Sequence, residues 1–111
     1  MPDVRIDNDG RCFHVDAGGV ALYPARYRAV SAYSEGLAVA HKLDSQVVLI
    51  DLQGRELDLG GLRFAWVLPP CDGRALAQTA DGRNGWLDRQ GVFHPHQQDP
   101  EWTARLEIVR I

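Results

Sequence analysis

The sequence predicts an all-β protein: a short array of stacked β-hairpin repeats forming a twisted sheet or partial barrel, with a C-terminal strand or short helix as cap. Three observations carry this expectation. Apolar runs of strand length recur between turn signals at spacings of about 8 to 12 residues. The chain repeats itself at a nearly constant period. No stretch shows the long 3.6-residue periodicity of an amphipathic helix.

The clearest copy is residues 36–54, Gly-Leu-Ala-Val-Ala-His-Lys-Leu-Asp-Ser-Gln-Val-Val-Leu-Ile-Asp-Leu-Gln-Gly. Moved forward by 37 positions it places Gly36 on Gly73, Ala38 on Ala75, Ala40 on Ala77, Asp44 on Asp81, Ile50 on Leu87, Asp51 on Asp88 and Gly54 on Gly91. Moved backward by 35 it places Val39 on Val4, Asp44 on Asp9, Ile50 on Val15, Asp51 on Asp16 and Gly54 on Gly19. The forward register also carries Arg26-Tyr27 onto Arg63-Phe64 and Val30 onto Val67. The expected organisation is one domain, 1–111, holding a half repeat 3–19, full repeats 23–54 and 60–91, and a cap 92–111.

Each element follows from turn chemistry. Asp9-Gly10, Asp44-Ser45 and Asp81-Gly82 sit between paired apolar runs, where Asp-Gly signals a tight hairpin. Asp16, Asp51 and Asp88 each precede a glycine by three residues, and an aspartate there accepts a bond from the backbone two residues on. These turns give all six aspartates a structural role. The runs between them, Cys12 to Val15, Val47 to Ile50 and Gly85-Trp86-Leu87, are short and β-rich. Residues 94–100, His-Pro-His-Gln-Gln-Asp-Pro, read as a loop. In the tail, Asp99-Pro100-Glu101 resembles a helix start, whereas Trp102, Ala104, Leu106 and Ile108 alternate as a strand.

Composition narrows function more by exclusion than by indication. Fifteen acidic against twelve basic residues give a formal charge of −3, and the bases are spread along the chain, so no nucleic-acid partner is expected. Met1-Pro2-Asp3 opens without the basic and apolar segments of a signal peptide, and no apolar run approaches the roughly 20 residues that span a bilayer. Cys12 and Cys71 are expected as reduced thiols of a cytoplasmic protein.

No catalytic constellation is visible. A turn explains a carboxylate that recurs in every copy better than a single active site does. Ser31, Ser34 and Ser45 lack a nucleophile elbow, and the glycines punctuate hairpins and do not cradle phosphate. His94 and His96, two apart, would share a side of an extended segment, and His14 or Cys71 would have to complete a metal site. No metal and no cofactor are expected. The aromatic residues are the better candidate surface, since tyrosine, tryptophan and arginine dominate interface hot spots. Tyr27, Tyr33 and Phe64 occupy repeat positions and are expected in the core. Tyr23, Trp66 and Trp86 are expected to be available for binding, with Arg55 and Arg74 among the arginines that follow turn glycines.

The segment 27–57, with Tyr-Ser-Glu-Gly-Leu-Ala-Val followed by Leu-Ile-Asp-Leu-Gln-Gly-Arg, resembles the WG repeat, and Asn84-Gly85-Trp86-Leu87-Asp88-Arg89-Gln90-Gly91 is similar to its second half. The naming Trp-Gly pair is replaced by Cys12-Phe13, Val47-Val48 and Asn84-Gly85, and Glu-Gly-Leu-Ala becomes Asp72-Gly73-Arg74-Ala75 in the last copy. The resemblance implies a bacterial β-rich repeat module without catalytic residues to carry over. Together these readings predict a non-enzymatic module that binds another protein. Carbohydrate or cell-envelope binding on the same rings is the alternative, and self-association through a strand edge or the aromatic face a further expectation.

Overall fold

The computed structural model describes residues 2–96, and these form nine strands and no helix. The strands are β1 (Asp3–Ile6), β2 (Cys12–Val15), β3 (Ala29–Val30), β4 (Ala38–His41), β5 (Val47–Ile50), β6 (Phe64–Val67), β7 (Ala75–Thr79), β8 (Asn84–Leu87) and β9 (Phe93–Pro95). They make three antiparallel sheets, β1-β2, β3-β4-β5 and β6-β7-β8-β9, and no barrel closes. Residues 92–96 of the expected cap supply β9, the edge strand of the last sheet, so His94 and Pro95, expected in a loop, instead pair with Trp86 and Gly85; the rest of the cap lies outside the described residues.

The pairings carry the same numerical offsets as the sequence. β4 and β5 pair Ala38↔Ile50, Val39↔Leu49, Ala40↔Val48 and His41↔Val47. Adding 37 to each number gives the β7–β8 pairs, Ala75↔Leu87 through Gln78↔Asn84. Subtracting 35 gives those of β1–β2, Asp3↔Val15 through Ile6↔Cys12.

The turns explain this agreement. Gly19, Gly54 and Gly91 donate to the carbonyls of Asp16, Asp51 and Asp88, each at 3.0 Å. The Oδ1 of each aspartate also accepts the N–H groups two and four residues on. The tip turns use the same geometry, which differs from a two-residue Asp-Gly turn: Gly10 donates to Asp7, Ser45 to Lys42 and Gly82 to Thr79, with positive φ only at the last residue. The Asp7 carboxylate holds the first tip, a role the sequence pattern assigned to Asp9. Two-residue turns with positive φ at both central positions occur instead at Glu35-Gly36 (54° and 81°) and Asp72-Gly73 (54° and 77°). They close the bridges Ser34↔Leu37 and Cys71↔Arg74.

Two cores lie between the sheets. Tyr23, Tyr27, Ala38, Ala40, Val48 and Ile50 form the one between the first and second sheets, with Phe13, Leu22, Val30 and Tyr33 packed against it. Leu37, Val39, Val47, Leu49, Leu59, Phe64, Val67, Ala75, Ala77 and Leu87 form the one between the second and third. The middle hairpin thus buries both faces, which is why β5 reads as the unbroken run Val-Val-Leu-Ile. Glu35 joins the last two sheets: its Oε1 accepts from the Gly73 N–H at 2.8 Å and from Arg89 at 3.1 Å. Those bonds hold the Glu35 carboxyl below its usual range.

Candidate functional site

The outer face of the β6–β9 sheet collects most of the residues singled out in the sequence. Ala75, Ala77 and Leu87 point into the core, so by alternation Leu76, Gln78, Trp86 and Asn84 point out. Trp66 pairs with Gln78 and joins this face; Leu68 lies beside Leu76, to whose carbonyl it donates at 2.8 Å. Leu68 is 48% exposed, Leu76 42% and Trp66 39%. The register slips between Phe64 and Trp66, and this irregularity lets Phe64 fill the core while Trp66 faces outward.

Trp86 is half-buried and already engaged. The His94 ring stacks on it with centroids 4.1 Å apart, and the Arg74 guanidinium carbon lies 4.6 Å from its centroid. His94 is steadied by a 3.0 Å contact with Asp88 Oδ2, which together with the backbone bond from Val92 keeps the Asp88 carboxyl below its usual range. Arg74 forms no ion pair among the described residues.

The other two candidates lie elsewhere. Arg55 is exposed and leans on Asp51 at 3.4 Å, where it serves its own turn. Tyr23, expected to be free for binding, is 5% exposed. Its hydroxyl has a partner in the interior, His14 Nδ1 at 2.6 Å, and its ring packs edge-on to Tyr27. Tyr27 and Phe64 are buried as expected, and Tyr33 is half-buried with its hydroxyl donating to the Asp51 carbonyl.

His14 is the functional-type residue the sequence misplaced. It is fully buried on β2, where Nε2 faces the Ser31 carbonyl at 2.7 Å. A carbonyl only accepts, so Nε2 carries the proton and Nδ1 accepts from the Tyr23 hydroxyl. Burial holds His14 below its ordinary pKa and pushes the Tyr23 hydroxyl up. With both nitrogens committed, His14 does not join His94 and His96, and no cluster of three ligating side chains forms among the described residues. The apolar run around His14 carries no signal for this, because the partners come from two later segments. Cys12 is half-buried and Cys71 exposed, and neither is in a disulfide. No helix of the described residues is long and apolar enough to cross a membrane.

No family model, curated protein or solved structure matches the chain.

Proposed function

We propose that the chain is a non-enzymatic binding module of the WG-repeat type, a short array of stacked hairpin repeats that contacts another protein through the outer face of the β6–β9 sheet. One observation carries the reading. In the middle sheet the face bearing Val39 and Leu49 is buried under the next sheet, whereas the matching positions of the last sheet, Leu76 and Trp86, look outward beside Trp66 and Leu68. An apolar face with tryptophans and a charged arginine at its margin has the composition of an interface centre. Sugar stacking is the weaker reading, since Trp86 is already covered by His94 and Arg74.

The test is affinity purification from the source cell with the wild type and a Trp66→Ala, Leu76→Ala double variant of unchanged melting temperature. Loss of about 2 kcal/mol of binding, at least tenfold in captured partner, is expected where hot-spot residues are removed. Equal capture by both proteins would show that this face is not the binding surface.

A further inference from the structure

The crevice between the first and second sheets and that between the second and third are built from matching positions but filled differently. In the first, residues 24–28 cross the edge of β2. Cys12 donates to the Tyr27 carbonyl at 2.7 Å and Tyr27 to the Cys12 carbonyl at 2.9 Å. Next to these bonds Arg26 lies with its guanidinium 3.9 Å from the Phe13 ring centroid and 3.9 Å from Asp7, and it donates to the carbonyls of Tyr23, Pro24 and Ala25. The chain closes this crevice with an arginine-bearing extended segment of its own.

The second crevice lacks that closure. Its linker, from Gly54 to Phe64, is two residues longer than the one from Gly19 to Tyr27, and Gly60-Gly61 both adopt positive φ there. Val47, the counterpart of Cys12, faces His41 across the ladder, while the neighbouring bonds to β4 run through Gln46 and Val48. The N–H and C=O of Val47 therefore point away from β4, and no strand among the described residues receives them. Arg63, the counterpart of Arg26, makes no ion pair among the described residues. The counterpart of Asp7 is Lys42, which has the wrong sign to attract it and is held by Glu56 at 3.3 Å.

What remains is a cavity of about 430 Å³ lined by Leu57 and Phe64, with Asp44, Glu56 and Asp58 among its carboxylates. Asp44 and Asp58 each spend Oδ1 on a backbone N–H, of Gln46 and Gly60, and neither meets a cation among the described residues. Of the basic groups nearby, Lys42 is on Glu56 and Arg28 reaches only the Ser45 hydroxyl at 3.4 Å, while Arg63 lines the cavity without an ion pair among the described residues.

We propose that this crevice is a binding slot for an arginine-bearing extended segment of a partner protein, which bridges the backbone of Val47 and places its guanidinium at Asp44 and Asp58. The occupant copies what residues 24–28 do one sheet earlier. Backbone pairing supplies the anchor and the carboxylates select the side chain. The inference does not rest on the outer face of the last sheet.

The probe is the acetylated, amidated pentapeptide Pro-Ala-Arg-Tyr-Arg, titrated into the 15N-labelled protein. Shifts are expected at the amides of residues 44–48 and 57–64, with slowed hydrogen exchange at Val47. Replacing the first arginine by neutral citrulline, or combining Asp44→Asn with Asp58→Asn, is expected to weaken binding about tenfold, the scale of a charge-assisted pair. Asparagine keeps the Oδ1 acceptor of both turns, so these variants should stay folded, and unchanged dispersion of the spectrum checks that. Absence of shifts at millimolar peptide, equal binding of the citrulline peptide, or shifts confined to the Trp66 and Trp86 face would each overturn the proposal. N-acetylarginine amide separates the sources: equal affinity for it would make the occupant a small guanidine compound and overturn the peptide assignment.

Discussion

The middle hairpin, β4–β5, and the last, β7–β8, share one register and one set of turns, yet they meet solvent differently. Along β4 and β5 every residue but His41 is buried, whereas β7 alternates between buried and exposed positions. The inward faces correspond: Ala38, Ala40 and Ile50 pack toward the first sheet as Ala75, Ala77 and Leu87 pack toward the second. The outward faces do not. Val39 and Leu49 are sealed by the third sheet, and Leu76 and Trp86 have no described sheet beyond them. Glu35 shows the same asymmetry, for it reaches forward to Gly73 and Arg89, while Asp72, its counterpart, forms no side-chain bond among the described residues. Which sheet packs against a hairpin, more than local sequence, sets which of its faces is core.

The sharpest test of this comparison is a pair of truncations. Leu49→Ala removes a fully buried side chain between two sheets and should cost about 2–5 kcal/mol by urea denaturation. Leu76→Ala, on the open face, should cost within about 0.5 kcal/mol. Comparable losses would mean that the outer face is covered in solution.

Glycines at matched turns give a second contrast. A Cβ on Gly54 would stand 2.5 Å from the Tyr23 side chain, whereas one on Gly19 meets nothing within 4 Å, and both residues have positive φ. Gly19→Ala should lose about 1–2 kcal/mol for the left-handed backbone alone. Gly54→Ala should lose clearly more, because Tyr23 must leave its bond to His14. Equal melting temperatures would contradict the packing of Tyr23 against that turn.

His14 stands where the middle hairpin has Leu49, and the difference gives the first sheet a pH response. The native histidine is neutral with a lowered pKa, while the unfolded chain takes up a proton near pH 6.5. Below that value the unfolded state binds more protons, so stability falls as pH drops from about 6.5 toward the lowered native value. Protection of the Asp88 carboxyl is lost only in the lower window below its unfolded value of about 3.9. His14→Leu should cost about 1–3 kcal/mol at pH 7.5, by stranding the Ser31 carbonyl and the Tyr23 hydroxyl. It should also flatten the slope below about pH 6.5. An unchanged slope would assign the response to another group.

The smallest expected effect is at the filled crevice. Arg26→Ala removes a cation over Phe13 and should cost about 0.5–1 kcal/mol. Arg63→Ala, at the matching position of the second crevice, should be nearly silent in the same thermal melt. A loss at Arg63 equal to that at Arg26 would mean the second crevice is closed from within.

The hairpin strands and their register were legible in the sequence, whereas β9 was not, since His94 and Pro95 read as loop. The recurring aspartates and glycines close turns through bonds spanning two to four residues, and such local bonds need no tertiary partner, so Asp16, Asp51 and Asp88 read correctly. Repeat position also placed Tyr27 and Phe64 in the core. Residues whose partners lie one sheet away owe their burial to packing that no local pattern encodes. Tyr23 carries no periodic signal, yet it is buried because His14 and Gly54 converge on it from two hairpins. Trp66 and Trp86 share one face because β6 and β8 both pair with β7 between them, while Arg55 turns back to Asp51. The hairpins are nearly identical in register, so what distinguishes them is what stacks against each, and burial is decided between units and not within them.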